Sequence, residues 1–218
     1  MEGLFEQIDG YCERTDFTYW AEPLNAVTNA AFLVAAIIMW RRVSDPFGRA
    51  LCVILFAIGI GSYLFHTHAT VWAVILDVLP ILLFVLLYIF VANYRFWNLS
   101  LTWAIIATLL YFPYAALIGA TLGQHPFFAI SGQYWPLPIM IGAYGIALLR
   151  RYPETGRGLI IGALILVTSL LFRSVDEIYC ENWPMGTHLW WHILNGVMLG
   201  WMIEVYRRHM LAAGARQS

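Results

Sequence analysis

Long apolar stretches separated by short polar breaks run along most of the chain. A helix needs about 17 to 25 consecutive apolar residues to cross the hydrocarbon core of a bilayer. Seven stretches approach that length, of which the fifth and sixth are the shortest: 22–40, 49–65, 70–92, 99–122, 134–149, 159–172 and 188–206. We therefore predict an all-α integral membrane protein folded as a seven-transmembrane helix bundle.

The arginines indicate which ends of these spans face the cytoplasm. Basic residues in short loops stay on the cytoplasmic side. With seven spans, ten of the twelve arginines fall on one side, and only Arg14 and Arg173 fall on the other. We predict an outside amino terminus and a cytoplasmic carboxyl terminus. The single membrane domain, 1–218, then has an outer polar cap (1–21), seven helices (22–207) and a short cytoplasmic tail (208–218).

Composition excludes other classes of protein. Hydrophobic residues make up 61% of the chain and charged residues only 11%, against about 25% charged in an ordinary soluble domain. A soluble globule is therefore excluded, and the lipid bilayer is the expected environment. The net charge of −1 leaves no basic face for nucleic acid. The first twenty residues are acidic and lack a basic start followed by an apolar core, so we do not expect a cleaved signal peptide.

Four ionisable residues stand out within or at the ends of the predicted spans, where such groups are costly and are functional candidates. They are His66, Asp77, His188 and His192. Two histidines at i and i+4 lie on one helix face and can bind one metal ion, as in an open zinc site completed by a third ligand. The short segment 66–70 between the second and third spans places Ser62 and Asp77 at comparable depth, so one cavity can hold the whole set.

Structural roles for these residues remain open at this point. His188 and His192 lie in an aromatic run, which is also typical of interfacial histidines in an aromatic belt. The Asp77 carboxylate lies among aliphatic residues and needs a cation, a proton or water, and Arg173 is one alternative partner. We also expect Arg173, Asp176 and Glu177 to form a buried ion cluster.

Several motifs resemble those of the alkaline ceramidases, within a superfamily of seven-helix membrane hydrolases that includes the progestin and adiponectin receptors. The resemblance is carried by Ser-x-x-x-His at 62–66, the intramembrane Asp77 and His-x-x-x-His at 188–192. Tyr-Cys-Glu at 11–13, the run 20–25, Thr-Asn at 28–29 and Cys-Glu at 180–181 are also similar. The motifs occur in the family's order over almost the whole chain.

The resemblance implies a site and a reaction. His66, His188 and His192 would be zinc ligands, Asp77 would hold or deprotonate the water that zinc activates, and Ser62 would hydrogen-bond the water or the developing oxyanion. The substrate would be a membrane lipid, ceramide or a related N-acyl lipid. Its products would be a fatty acid and a sphingoid base.

The resemblance also implies a calcium site in the cap and a disulfide. Calcium prefers six to eight oxygen ligands. Glu13 and Glu22 match the family pattern, with Asp9, the carbonyl of Tyr11 and Asp16 as companions; a solvated acidic cap is the alternative. The family pairs cysteines at positions that match Cys12 and Cys180 in this sequence.

The leading hypothesis is a zinc-dependent ceramidase-like lipid amidohydrolase. The alternative is a lipid or sterol receptor of the same superfamily that uses the zinc site structurally. A lipid-remodelling or scaffold protein would instead contain no stoichiometric zinc, and an intramembrane metalloprotease is disfavoured because His-Leu-Trp-Trp-His lacks the glutamate of H-E-x-x-H. We expect a bacterial inner membrane location, or the ER or Golgi membrane in a eukaryote.

Overall fold

Seven long helices form the described part of the protein. The computed structural model describes residues 2–8 and 10–215. Short 3-10 turns at Glu2–Phe5 and Glu177–Tyr179 and one helical turn at Pro126–Ala129 lie between or before the long helices. The long helices are α1 (Pro23–Trp40), α2 (Pro46–His68), α3 (Val71–Phe96), α4 (Leu101–Leu122), α5 (Pro136–Leu148), α6 (Pro153–Val175) and α7 (His188–Gly214).

Five of these helices, α1, α2, α3, α4 and α6, are long and apolar enough to cross a membrane. Helix α5 is apolar but shorter, and α7 is long but is not among the five apolar helices. Many large apolar side chains on the outer helix faces are exposed, including Leu109, Leu117, Ile146, Leu164 and Val197. An apolar outer surface of this kind fits lipid rather than water as the surrounding solvent, and it indicates a multi-pass membrane protein.

Several helix ends differ from the predicted spans. Helix α2 begins at Pro46 rather than 49, because the Asp45 carboxylate accepts hydrogen bonds from the backbone N–H groups of Phe47 and Gly48, as an N-cap does. Helix α6 begins at Pro153 rather than 159, so the sixth stretch is not short. Helix α7 continues to Gly214, beyond the predicted end at 206.

Helix α7 is the central element of the bundle. It packs against α1, α2 and α6, while α2 pairs with α3 and α5 pairs with α6. Of the five membrane-length apolar helices, α4 is the most exposed, with only 11% of its most apolar stretch buried. The first turns of α7 therefore lie against the last turns of α2, which brings the residues at these two ends together.

The amino-terminal segment is fastened over this end of the bundle. Ile8 N–H donates to the Ala69 carbonyl at 2.8 Å, and Val71 N–H donates to the Glu6 carbonyl at 3.1 Å. A disulfide joins Cys12 to Cys180, whose Cα atoms are 5.2 Å apart. The segment is thus tied to the α2–α3 connection on one side and to the approach of α7 on the other.

Asp176 carries out a different role from the predicted one. Its buried carboxylate accepts from the backbone N–H groups of Cys12, Thr187 and His188, so it caps the start of α7. Gly186 has a positive φ of 65°, and a Cβ there would meet the Asp176 carboxylate at 2.4 Å, so glycine permits this approach.

The expected Arg173–Asp176–Glu177 ion cluster is wrong, since no ion pair joins these residues within the described chain. Arg173 donates instead to the Ile130 carbonyl and the Ser131 hydroxyl. Glu177 is exposed. The buried Asp176 carboxylate is satisfied by backbone donors and needs no cation.

The Cys180→Ser variant tests the covalent tie. We expect unreduced wild-type protein to migrate faster in denaturing gels than reduced protein, because the bond closes a loop with a sequence separation of 168. The Cys180→Ser substitution should abolish this difference. Loss of the bond should also lower the Tm of the detergent-solubilised protein, since disulfides restrict the unfolded state. Cys52→Ala, which removes the buried free cysteine, is the control and should keep the shift. Equal mobility of reduced and unreduced wild type would contradict the pairing.

Candidate metal centre

Three buried histidines converge where the end of α2 meets the start of α7. His66, His188 and His192 are 1–2% exposed. Each offers a ligand atom, and these atoms lie within 4.8 Å of one another. The ring centroids are 4.6 Å apart for His66–His192 and His188–His192 and 5.2 Å apart for His66–His188. The i, i+4 pair on α7 and the single histidine on α2 therefore share one small site.

The hydrogen bonds of the imidazole rings leave nitrogens free for a metal. Glu22 contacts Nδ1 of His66 at 2.5 Å, and the Thr28 hydroxyl contacts Nδ1 of His192 at 3.0 Å. Nδ1 of His188 and Nε2 of His192 are buried without a hydrogen-bond partner. Buried polar atoms are rarely left unpaired, and partners on the second ring nitrogen are typical of metal-bound histidines. The donor set fits a metal ion with three imidazole ligands.

Ser62 and Asp77 meet beside this cluster because α2 and α3 approach closely. A Cβ on Gly61 would lie only 1.9 Å from the Leu76 carbonyl oxygen, so the two backbones are in contact at this depth. The side chains of Ser62 and Asp77 line the same cavity. The pair predicted from the short α2–α3 connection is therefore brought together.

Two cavities open onto Asp77 from different sides. The first is almost entirely apolar and extends from Ser62 and Asp77 into the bundle; its walls include Phe84, Tyr88, Leu166 and Met198. The second is more polar and lies under the amino-terminal segment; its walls include Tyr11, Gln133, Tyr134, Arg173 and Glu177. The carboxylate thus stands between an apolar compartment and a polar opening.

Tyr11 covers the histidines from the amino-terminal segment. Its ring stacks on His188 with centroids 3.7 Å apart, and Tyr11 and Arg173 line the same cavity. Burial raises the pKa of Tyr11 against the opposing effect of Arg173, so the phenol stays protonated at neutral pH. Sequence reasoning assigned Tyr11 to the calcium site through its carbonyl, whereas its ring shields the histidine cluster.

The predicted calcium ligands do not gather as one acidic group. Asp9 lies outside the described residues. Among the described residues, Glu13, Asp16 and Glu22 do not form a group of three carboxylates around a common point. Glu13 accepts from the backbone N–H groups of Leu24 and Asn25 at 2.7 and 2.8 Å and so satisfies free donors at the start of α1.

Asp16 and Glu22 have partners of their own. The Asp16 side chain is exposed and accepts two hydrogen bonds from Thr18, which lower the pKa of Asp16. The Glu22 carboxylate is buried and bonds to Arg14, His66 and Asn25. Calcium binding stays a prediction, and one oxygen of Glu22 already accepts a hydrogen bond from the Arg14 guanidinium.

Sequence reasoning missed two residues that contact the candidate ligands. Glu22 was assigned to calcium but bonds to His66, and Thr28 was given no role but bonds to His192. The signal for both was their place at the start of α1, because a polar side chain in the first turns of an apolar span needs a partner. Their partners are set by how α1 packs on α2 and α7.

Gly61→Ala tests the close approach of α2 and α3. The added methyl group would collide with the Leu76 backbone, which cannot rotate away, so the helices must separate. We expect the free energy of unfolding to fall by about 1–3 kcal/mol, the usual cost of overpacking, with a lower Tm in detergent. Gly142→Ala is a matched control, because a Cβ there meets only Ala163 at 3.8 Å. Equal Tm values for Gly61→Ala and wild type would contradict the contact.

His192→Ala tests the metal centre. We expect purified wild-type protein to contain about one metal ion per chain, as three ligands and an open position favour, and His192→Ala to lose most of it. Elemental analysis by mass spectrometry measures the content and identifies the ion. The exposed His125 supplies the control His125→Ala, which should keep the metal. Metal-free wild-type protein prepared without chelators would count against the centre.

Comparison with known proteins agrees with this geometry. The family model for ceramidase matches residues 8–217, which is nearly the whole chain and includes all three histidines, Ser62 and Asp77. A comparison with curated proteins finds no match. The chain therefore belongs to the ceramidase family, and this membership implies a ceramide hydrolase with ceramide as its substrate.

Proposed function

We propose that the protein is a zinc-dependent amidohydrolase that cleaves the amide bond of ceramide or a related N-acyl lipid. The observation that carries the proposal is the buried three-histidine cluster with unpartnered ring nitrogens, with Ser62 and Asp77 lining one cavity beside it. Family membership supplies the substrate class. The products are a fatty acid and a sphingoid base.

In this proposal His66, His188 and His192 hold the zinc ion. When bound, zinc supplies a Lewis acid that lowers the pKa of water toward about 7 and polarises a carbonyl. The chain orients the imidazoles through Glu22 and Thr28, which engage Nδ1 of His66 and Nδ1 of His192. Three protein ligands leave a position for water and substrate.

Asp77 and Ser62 handle the proton and the developing charge. The Asp77 carboxylate takes a proton from the attacking water and returns it to the amide nitrogen as the carbon–nitrogen bond breaks. The water oxygen becomes part of the fatty acid carboxylate. The Ser62 hydroxyl, in the same cavity as Asp77, orients this carboxylate or donates to the oxyanion that forms on the carbonyl oxygen.

The two cavities at Asp77 suit a substrate with one long apolar chain and a polar end. The apolar cavity passes Phe84 and Tyr88 and extends toward Met202, so it accepts the acyl chain. The polar opening beside Tyr11 and Arg173 admits water. We propose that the lipid enters between helices from the outer leaflet.

We further propose that all seven helices span the membrane, with the amino terminus outside and the carboxyl terminus in the cytoplasm. Arg42, Arg207 and Arg208 all contact Glu204, at 3.0, 2.7 and 2.8 Å. This arginine-rich face lies near the end of α7, whereas the histidines lie at its start, which supports a cytoplasmic face opposite the metal centre. The membrane is the bacterial inner membrane, or the ER or Golgi membrane in a eukaryote.

Asp77→Asn tests the proposed base. We expect it to keep the metal content of the wild type and to lose at least about 100-fold in turnover, the typical contribution of a general base. Fatty acid release from a panel of ceramides and other N-acyl lipids, measured beside elemental analysis, checks both parts. Ser62→Ala should also lower turnover while keeping the metal.

The control for this experiment is Glu154→Gln, which changes an exposed carboxylate paired with Arg157 and should leave turnover unchanged. Normal hydrolysis by Asp77→Asn would show that the base is assigned wrongly. Zinc-loaded wild-type protein that releases no fatty acid from any lipid of the panel would contradict the proposed function itself.

A further inference from the structure

We propose that Arg14 is the permanent cation of the amino-terminal cap. Its guanidinium takes the place that the sequence predicts for calcium and, through Glu22, positions His66 for metal binding. The second part rests on the proposed zinc site. Arg14 is thus a positioning residue, and the metal affinity of the site depends on it without any bound calcium.

The guanidinium lies in a cage of oxygens. Nε of Arg14 donates to Glu22 Oε1 at 2.5 Å, and its two terminal nitrogens donate to the carbonyls of Asp16 and His66, each at 3.0 Å. Two of these three acceptor residues, Asp16 and Glu22, are among the predicted calcium ligands. The side chains of Arg14 and Glu22 are only 1% and 2% exposed, so the cage excludes water.

The positive charge of the Arg14 guanidinium is incompatible with a second cation at the same place. The buried Glu22 carboxylate needs a positive partner, and Arg14 provides one at hydrogen-bonding distance. A guanidinium stays protonated under all ordinary conditions, so it cannot become neutral to admit calcium. Calcium requires six to eight oxygen ligands, but each oxygen contacted by Arg14 already accepts a charge-assisted hydrogen bond.

The same guanidinium holds His66 from two directions. Glu22, fixed by Arg14 and by the Asn25 amide at 3.1 Å, accepts from Nδ1 of the His66 ring at 2.5 Å. Arg14 itself donates to the His66 carbonyl. This carbonyl belongs to the last turn of α2, where backbone oxygens lack helical partners and favour a cation. Both the ring and the backbone of the candidate ligand therefore depend on Arg14.

The first arm of the test measures the effect of calcium on the full-length protein. Zinc affinity is determined by competition with a fluorescent zinc chelator, and Tm is measured in detergent, both with and without millimolar calcium in calcium-depleted buffer. We expect the wild-type zinc Kd and Tm to be the same in the two buffers. An increase in zinc affinity or in Tm with calcium would overturn the proposal.

The second arm replaces the guanidinium. Arg14→Met keeps a long side chain but removes the charge, and we expect its zinc Kd to rise by about 10–100-fold, the usual effect of losing support for a metal ligand. Arg14→Lys restores the charge but cannot bridge three oxygens, so its Kd should lie between those of wild type and Arg14→Met. The control is Arg42→Met, whose arginine pairs with Glu204 at the far end of α7 and should leave the zinc Kd unchanged.

The outcomes separate this proposal from the proposed function. Wild-type protein that binds no zinc contradicts the metal centre, whereas zinc-binding wild type with an unchanged Kd in Arg14→Met contradicts only the role of Arg14. If Arg14→Met does not fold, the proposal is tested by the zinc Kd of Arg14→Lys and by the effect of calcium on the wild-type protein. A wild-type Kd in Arg14→Lys would then overturn the positioning role.

Discussion

The buried carboxylate of Glu22 links the amino-terminal segment to the histidine cluster, because one of its oxygens contacts Arg14 and the other contacts His66. A carboxylate with 2% exposure must be paired with a positive group and hydrogen-bonded to be stable. The cap, the start of α1 and the end of α2 must therefore adopt one arrangement together. The candidate ligand His66 is positioned as part of that arrangement.

The two histidines of α7 are positioned by a separate set of contacts. Asp176 caps the start of α7 and also binds the backbone of Cys12, next to the disulfide with Cys180. Since His188 and His192 lie one turn apart on the same helix face, fixing the start of α7 fixes both. The candidate metal centre lies where this unit meets His66, so its geometry depends on tertiary contacts on both sides.

Spacing along the chain predicted which candidate site residues come together but not the residues that bond to them. The i, i+4 pair His188 and His192, and Ser62 opposite Asp77 across a short connection, follow from helical periodicity alone. The bonds from Glu22 to His66 and from Thr28 to His192 join residues 44 and 164 positions apart, so they depend on how the helices pack.

The helix ends show the same limit of local reasoning. Asp45 before Pro46 is a local N-cap signal that places the start of α2 correctly, yet counting apolar residues alone misses it. Asp176 was assigned to an ion cluster because three charged residues are close in sequence. Its actual partners are backbone N–H groups from two distant segments, which residue type cannot reveal.

The proposed function requires that the three histidines hold a zinc ion and that this ion is needed to hydrolyse ceramide. It is tested most directly by following fatty acid release from a ceramide by purified wild-type protein before metal removal, after removal and after zinc is returned. We expect fatty acid release to stop when the metal is removed and to resume with about one equivalent of zinc per chain. Hydrolysis that continues unchanged in the metal-free protein would contradict it.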